Sequence, residues 1–408
     1  MAAERSETTQ TASRRPRVLR VGLFDARYAR NRTTLAALVA GGAEVADLHA
    51  AILEGLNDRL RVARGKRASL AFAGRVLVSE AGLLARALPA LRWADAILCG
   101  YPGQWDAVVW APVSRSFRRR VVFDPLVTLT ETFVEDRRVL APESLQGRLV
   151  RWLDRRALRS ADVILADTPQ QAAYWATLAA VSLDRFVVVP VGADEPLFDP
   201  VQYDMSAVTR ADPDHLRVLF YGTYSPLHGA ATIVEAVHRL ERVGERLAVV
   251  MIGTGQCRQT VQRRAAELGV ECISFIDWVP EEELPRWIAW SDVVLGIFGA
   301  TAKAARVVPN KVYQAMAMGA AIVTRDSPAM RWLAGDGTIA LLVPPEDPDA
   351  LAGALRTLRR PEARRLLGRT ARARFERVAS TAARARILRP VLEQLDAGWL
   401  APARESES

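Results

Sequence analysis

Residues 301–328 read TAKAARVVPNKVYQAMAMGAAIVTRDSP. Within them Asn310, Lys311 and Gln314 fall at spacings that put all three on one face of a helix. Pro309 and Asn310 make a good helix start, with Asn310 as the expected N-cap, and Gly319 makes a good stop. Lys311 then sits in the first turn, where unpaired N–H groups and the helix dipole favour an anion. A cation, an amide and a free helix start beside a strand are what a nucleotide diphosphate needs. An ordinary capped helix explains the same letters. One oddity of usage favours the anion: 55 residues are basic, only three are Lys, and Lys303 and Lys311 share this loop. Lys is a compact charge suited to phosphate, whereas Arg is a wide fork.

Other constellations are looser. LFYGTYSPLHG (219–229) is a strand ending in a loop where Gly222 and Gly229 let backbone approach a ligand, Thr223 lies between, and His228 offers a donor. IGTGQ (252–256) also follows a strand, and Gly253 and Gly255 make room for a nucleotide or a tight turn. A dinucleotide fingerprint needs a third Gly at 258, where Arg258 stands. Asp25, Arg27, Arg30 and Asn31, in FDARYARN after the first strand, are expected to face a cleft, or to form a solvated loop that caps a helix. Glu131, in VTLTETFVEDRR, could orient an acceptor hydroxyl or pair with Arg137. No Ser/His/Asp or Cys/His nucleophile system, phosphate-binding P-loop or carboxylate metal cluster is visible. The metal expectation is none.

These groups need a frame to hold them. Apolar β-rich runs alternate with helical patterns nearly throughout, which argues parallel sheets covered on both faces. The first series runs VLRVGLF, DAILCG, RVVFDP, a helix over 145–159, DVILAD and FVVVPVG. A Pro/Asp-rich stretch from Gly192 to Asp214 breaks it. The second series runs LRVLFYG, LAVVMIG, CISFIDWV, DVVLGIF, AIVT and LLVP, with helices between and after. Two such units place a cleft between them, with ligands beyond the carboxyl ends of the strands.

The bulk properties fit a globular chain. Its 408 residues suffice for two or three domains. No apolar run reaches the roughly 18 residues of a membrane span. The polar N-terminus does not read as a secretory signal. Cys99, Cys257 and Cys272 have neither metal-like nor paired spacing, which fits a reducing cytoplasm. A net charge of +9 implies an acidic partner. Arginines cluster at 59–67 (with Lys66), at Arg115 with Arg118 to Arg120, and at Arg148, Arg151, Arg155, Arg156 and Arg159. Without aromatic interleaving these clusters argue against a nucleic-acid platform. Arg59–Arg67 leads into the helix-like SLAFAGRVLVSEAGLLARAL, and with Arg115–Arg120 it could form a basic face on an anionic membrane, giving peripheral attachment of a cytoplasmic protein. A solvated surface is the alternative.

The second half resembles the donor domain of family-four glycosyltransferases of the GT-B fold. YGTYSPLHG, VVMIGTGQ, FIDWVPEEELPRWIAWSDVVLGIF, PNKVYQAMAMGAAIVTRDSPAMRWL and ALLVPPEDPDALAGAL occur in the family's order over about 216–375. VVVPVGADEPLF resembles its domain-crossing segment. The resemblance implies two Rossmann-like parallel-sheet domains facing across a cleft. The expected layout is a disordered 1–16, an acceptor domain 17–195, a linker 196–214, a nucleotide-sugar domain 215–377, a helix 378–402 crossing back, and a disordered 403–408. It implies retaining transfer from a nucleotide-diphosphate sugar to an acceptor, without cofactor or metal. Lys311 takes the place of the basic residue at the "N-K" turn, and His228 that of the usual Lys before Gly. Gly222, Thr223, Gly229, Gly253, Gly255, Val279, Asn310 and Gln314 fall on the nucleotide side. The family's paired glutamates, separated by seven residues, fall at Arg306 and Gln314. Arg306 cannot act as an acid but could hold phosphate, while Gln314 can bond ribose hydroxyls. A nucleotide-sugar epimerase of the same fold and a non-catalytic basic binding protein are the competing readings.

Overall fold

The computed structural model describes residues 14–50, 66–205 and 215–396. The expected tail 403–408, most of the expected N-terminal tail, the later part of the expected linker and the basic run 59–65 lie outside them.

The apolar runs become two six-stranded parallel sheets. The first joins β1 (Arg17–Gly22), β2 (Glu44–His49), β3 (Ala96–Cys99), β4 (Arg120–Phe123), β5 (Val163–Ala166) and β6 (Phe186–Val188) in the order β2-β1-β3-β4-β5-β6. The second joins β7 (Leu216–Tyr221), β8 (Leu247–Ile252), β9 (Ile273–Ile276), β10 (Val293–Leu295), β11 (Ile322–Arg325) and β12 (Leu341–Val343) in the order β12-β11-β10-β7-β8-β9. Central strands such as β7 and β8 are buried along almost their whole length, so they read as continuous Val/Leu/Ile runs. Each sheet reverses its strand order next to its first strand, and that reversal opens a crevice at the strand ends.

The helices in chain order are α1 (Ala29–Ala40), α2 (Lys66–Trp93), α3 (Gln104–Ser116), α4 (Leu145–Ser160), α5 (Pro169–Ala179), α6 (Ala230–Arg242), α7 (Arg258–Leu268), α8 (Leu284–Trp290), α9 (Ala302–Arg306), α10 (Asn310–Ala317), α11 (Pro328–Ala334), α12 (Pro348–Thr357), α13 (Pro361–Val378) and α14 (Thr381–Asp396). Their starts follow the sequence: Ser144, Thr168, Ser327 and Asp347 each accept a backbone N–H as N-cap. The last helix, α14, packs against α1 of the first lobe. One apolar cluster spans both lobes, from Tyr101 and Phe198 to Tyr313 and Phe375.

Four elements depart from expectation. β2 is an edge strand with mostly half-exposed residues, so its EVADLH lacks an apolar run. α3 carries an internal Pro112 and no clear polar face. Residues 130–136, around Glu131, form a π-helical turn that the sequence does not announce. In α10, Pro309 occupies the N-cap position and Asn310 is the first helical residue.

Candidate active site

A cleft of about 560 Å³ lies beyond the carboxyl ends of the strands of both sheets. The loop after β7 forms its floor. Gly222 there has φ +156°, and a Cβ on it would lie 2.7 Å from His228 Nε2 and 3.1 Å from Lys311 Nζ. Only glycine leaves that space open, and two nitrogens point into it.

Each of the two nitrogens has a defined state. The backbone N–H of Ser225 donates to His228 Nδ1 at 3.2 Å, so the proton of the neutral ring sits on Nε2. Burial, then the charges of Lys311 and Arg137, hold the His228 pKa well below the usual histidine value. Lys311 Nζ donates to Gly296 O at 3.2 Å and lies 3.9 Å from the centre of the Phe220 ring. Among the described residues no carboxylate pairs with it. Burial pushes its pKa well down. Lys311 is thus buried, not exposed as a first-turn position suggests, because α10 packs that turn against β7. A buried amine without a counter-ion and a neutral N–H donor, sharing one space, can accept an anion.

The other donor-side expectations sort themselves by position. Thr223, Gly253, Val279, Asn310 and Gln314 line the cleft. Gly229 and Gly255 do not. A Cβ on Gly229 would strike Gly299 N at 2.4 Å, and one on Gly255 would strike Thr223 O at 1.8 Å, so these glycines let loops pack together. Gln314 Oε1 accepts from Tyr221 Oη at 2.9 Å, and its Nε2 donates to Glu281 at 3.4 Å. Glu281 in turn pairs with Arg32 of the first lobe at 3.0 Å.

Arg306 does not face the cleft. Its guanidinium bonds Glu131 Oε1 at 3.0 Å and Glu135 Oε2 at 2.7 Å, and stacks 3.8 Å from the centre of the Tyr174 ring. With two carboxylates as partners it ties the lobes together and is not available to phosphate. Glu131 is correspondingly removed from any acceptor. It is fully buried and accepts from Thr128, Gln171 and Trp175. Burial alone would raise its pKa, but Lys303, Arg306 and those hydrogen bonds hold it below the usual value.

On the first-lobe wall Asp25 and Arg27 line the cleft as expected, with Tyr28 and Tyr101 beside them. Arg30 and Asn31 do not. Arg30 is fully buried, bonds both oxygens of Asp124 at 2.9 Å, and reaches the carbonyls of Val189 and Pro190. Asn31 donates to Asp25 O and Tyr101 O and accepts from Tyr101 N, clamping the loops after β1 and β3. One helical turn places these side chains under the loop instead of on it.

Several further groups line the cleft. Lys303 Nζ bonds Thr132 Oγ1 at 3.2 Å across the lobes, and its rarity as a lysine was the available signal. Arg137 reaches Thr223 Oγ1 at 3.4 Å from the π-helical turn. Asp167, at the end of β5, lines the cleft with its Oδ1 unpartnered, and burial raises its pKa to about 7. Nothing in DVILADTP marks that residue. Among the described residues no three His, Cys, Asp or Glu side chains are grouped to hold a metal ion.

Two six-stranded parallel sheets of this topology, with a cleft between their carboxyl ends and an anion receptor on the second, define a chain of the GT-B class. Residues 215–360 match the family described as glycosyl transferases group 1. The chain is 28% identical over 262 residues to the D-inositol 3-phosphate glycosyltransferase of Xylanimonas cellulosilytica, covering 59% of each protein. It thus spans somewhat over half the length of that curated relative. The fold superposes on sucrose-phosphate synthase from Thermosynechococcus elongatus with a TM-score of 0.70 at 18% identity, covering 94% of this chain and 100% of the other. It superposes on Anabaena Alr3699/HepE, solved in complex with UDP, with a TM-score of 0.65 at 16% identity, covering 93% and 100%.

Proposed function

We propose that the protein transfers a sugar from a nucleotide-diphosphate sugar to a hydroxyl of an acceptor, with retention of anomeric configuration. The observation that carries this reading is the convergence of Lys311 Nζ and His228 Nε2 on the open space above Gly222. In the reaction the bond from the anomeric carbon to the diphosphate oxygen breaks, and its electron pair leaves with the phosphate. The acceptor oxygen bonds to that carbon, and its proton passes to the departing phosphate. Charge therefore grows on the diphosphate, where the ammonium and the Nε2–H stand ready. Preorganised donors of this kind supply much of an enzyme's transition-state stabilisation. The nucleoside would run along Val279 and Gln314. The acceptor would approach from the wall of Asp25, Arg27 and Asp167. The complexes of Alr3699/HepE with UDP and with UDP-glucose support a nucleoside-diphosphate donor.

A thermal-shift panel of UDP, GDP, ADP and TDP identifies the nucleotide. Incubation of the matching sugar donor with candidate acceptors, read by NMR of the new anomeric proton, then tests transfer and retention. A stabilising nucleotide whose release needs an acceptor supports transfer. Conversion of the donor sugar without any acceptor makes the protein an epimerase. No shift with any nucleotide overturns the reading.

A further inference from the structure

Helix α4 carries an apolar stripe on its solvent face. Leu145, Leu149 and Trp152 are 84%, 60% and 54% exposed, and steps of four and three residues align them. The opposite face is ordinary: Gly147, Asp154, Ala157 and Leu158 are buried. Arginines flank the stripe and continue it. Arg148, Arg151, Arg155, Arg156 and Arg159 lie with Trp152 around one surface depression, where Glu143 is the single acidic group. Arg155 and Arg159 bond the carbonyls that end α5, and no carboxylate pairs with Arg151 or Arg156 among the described residues. Three large apolar groups exposed in line, beside five cations, have no use in a helix that faces only water.

We propose that α4 is a membrane-docking helix that lies on an anionic bilayer, its apolar stripe in the headgroup boundary and its arginines on lipid phosphates. An apolar stripe bounded by arginines fits an interfacial helix, and the charge selects anionic lipid. It fits duplex or single-stranded nucleic acid poorly, since phosphate contacts alone leave the leucines wet. Among the described residues no helix is long and apolar enough to cross a membrane, so the contact is peripheral. In the Arg115–Arg120 run, Arg115 donates to Ser160 O and Arg119 to Leu91 O, as Arg155 and Arg159 do to the carbonyls that end α5.

The helix is joined to the cleft. Buried Asp154 accepts from the N–H groups of Leu129 and Thr130 at 3.0 and 2.7 Å and from Thr130 Oγ1. The π-helical turn starting there supplies Thr132, Asp136 and Arg137 to the cleft wall. A docked α4 would therefore set the first-lobe wall beside the bilayer, where a lipid-borne hydroxyl could enter. That orientation rests on the glycosyltransferase reading, but the docking does not.

Flotation of the full chain with vesicles tests it. We expect wild type to float with phosphatidylcholine/phosphatidylglycerol vesicles at low salt, to dissociate as salt rises, and to ignore phosphatidylcholine alone. Arg151→Gln/Arg156→Gln should lower the partition coefficient at least about 25-fold, from the worth of each basic residue at an anionic surface. Leu149→Glu/Trp152→Glu should abolish flotation. All four side chains are at least partly exposed, so both variants should melt as wild type and keep the wild-type nucleotide thermal shift. Absence of flotation at low salt, equal binding to neutral vesicles, or variants that float like wild type overturn the proposal. Sedimentation showing a wild-type dimer that either variant dissociates would instead assign the stripe to a second copy. Failure here with nucleotide binding intact leaves the transfer reading standing.

Discussion

On the second-lobe wall, Gly222 and Gly253 bring backbone to the surface, and Lys311 and His228 reach past it into open space. On the first-lobe wall, Arg30, Asn31 and Glu131 turn inward and hold loops together. Both walls are rich in polar residues near strand ends. On the second, Lys311 has no carboxylate partner among the described residues, and a buried cation without a counter-ion is costly to keep. A buried amine held this way gains a proton most readily when an anion arrives. Paired charges signal architecture.

The comparison predicts opposite phenotypes, and the largest is structural. Arg30→Ala removes the ion-pair partner that bonds both oxygens of Asp124, and Arg30 and Asp124 are both almost wholly inaccessible. Breaking such a pair should cost about 3–5 kcal/mol of stability in a denaturant titration. A loss below about 1 kcal/mol would show that the pair is not a strut. Nucleotide binding by the fraction that remains folded should persist.

Lys311→Ala should do the reverse. It removes an unpaired buried cation, so stability should hold or rise, while turnover falls. Losing one preorganised contact to the developing charge should raise the barrier by about 2.7–4 kcal/mol. Unchanged kcat at saturating donor would remove Lys311 from the mechanism. The same geometry predicts proton uptake. Free Lys311 and His228 have depressed pKa values, and a bound diphosphate favours their charged forms, so binding raises those values. Affinity should therefore fall as pH rises through the window between the free and bound values. Calorimetry in two buffers of different ionisation enthalpy reads the uptake directly, and equal heats in both would refute it.

How much of this was legible in the letters follows the same division. The second-lobe wall is local: a glycine at a strand end and a lysine in a helix's first turn act near where they stand in the chain. Its main surprise, the burial of Lys311, comes from packing against β7. The first-lobe wall is assembled from afar. Arg30 meets Asp124 and Val189, and Glu131 meets Trp175 and Arg306, partners between 44 and 175 positions away along the chain. Nothing in FDARYARN says which of its polar residues will find such partners. The fold itself read well because a parallel strand buried on both faces writes its own signature. The edge strand β2 shows the limit, since one exposed face removes it.

Asp167 tests whether the first wall also holds a group kept for a ligand. Its ordinary pKa of 3.8 is raised by burial to about 7, with Arg30 opposing. The native state therefore holds a proton there that the unfolded chain releases between pH 4 and 7. The sign follows: this residue's contribution is fully present below 3.8 and is lost as pH rises through about 7. Asp167→Asn should flatten that fall by on the order of 4 kcal/mol. If the stability profile of Asp167→Asn keeps the wild-type slope between pH 4 and 7, Asp167 is already ionised in the native state.

The smallest effect concerns Gln314, where the two walls meet. Its carbonyl holds Tyr221 and its amide reaches Glu281, which is itself paired with Arg32 of the first lobe. If Gln314 also meets ribose hydroxyls, Gln314→Ala should weaken nucleotide binding by about 1 kcal/mol, the net worth of a hydrogen bond. Retention of the carboxylate acceptor would make Gln314→Glu look harmless from the sequence. In the folded site it places a second carboxylate next to Glu281 and takes away the donor between them. Like charges at that range disfavour each other and compete for Arg32. Gln314→Glu should therefore bind nucleotide less well than wild type, and the deficit should shrink as pH falls and one carboxyl takes up a proton. Calorimetry across pH decides between the cases. Equal affinity in wild type, Gln314→Ala and Gln314→Glu would separate this side chain from the nucleotide and leave it as a brace between Tyr221 and Glu281.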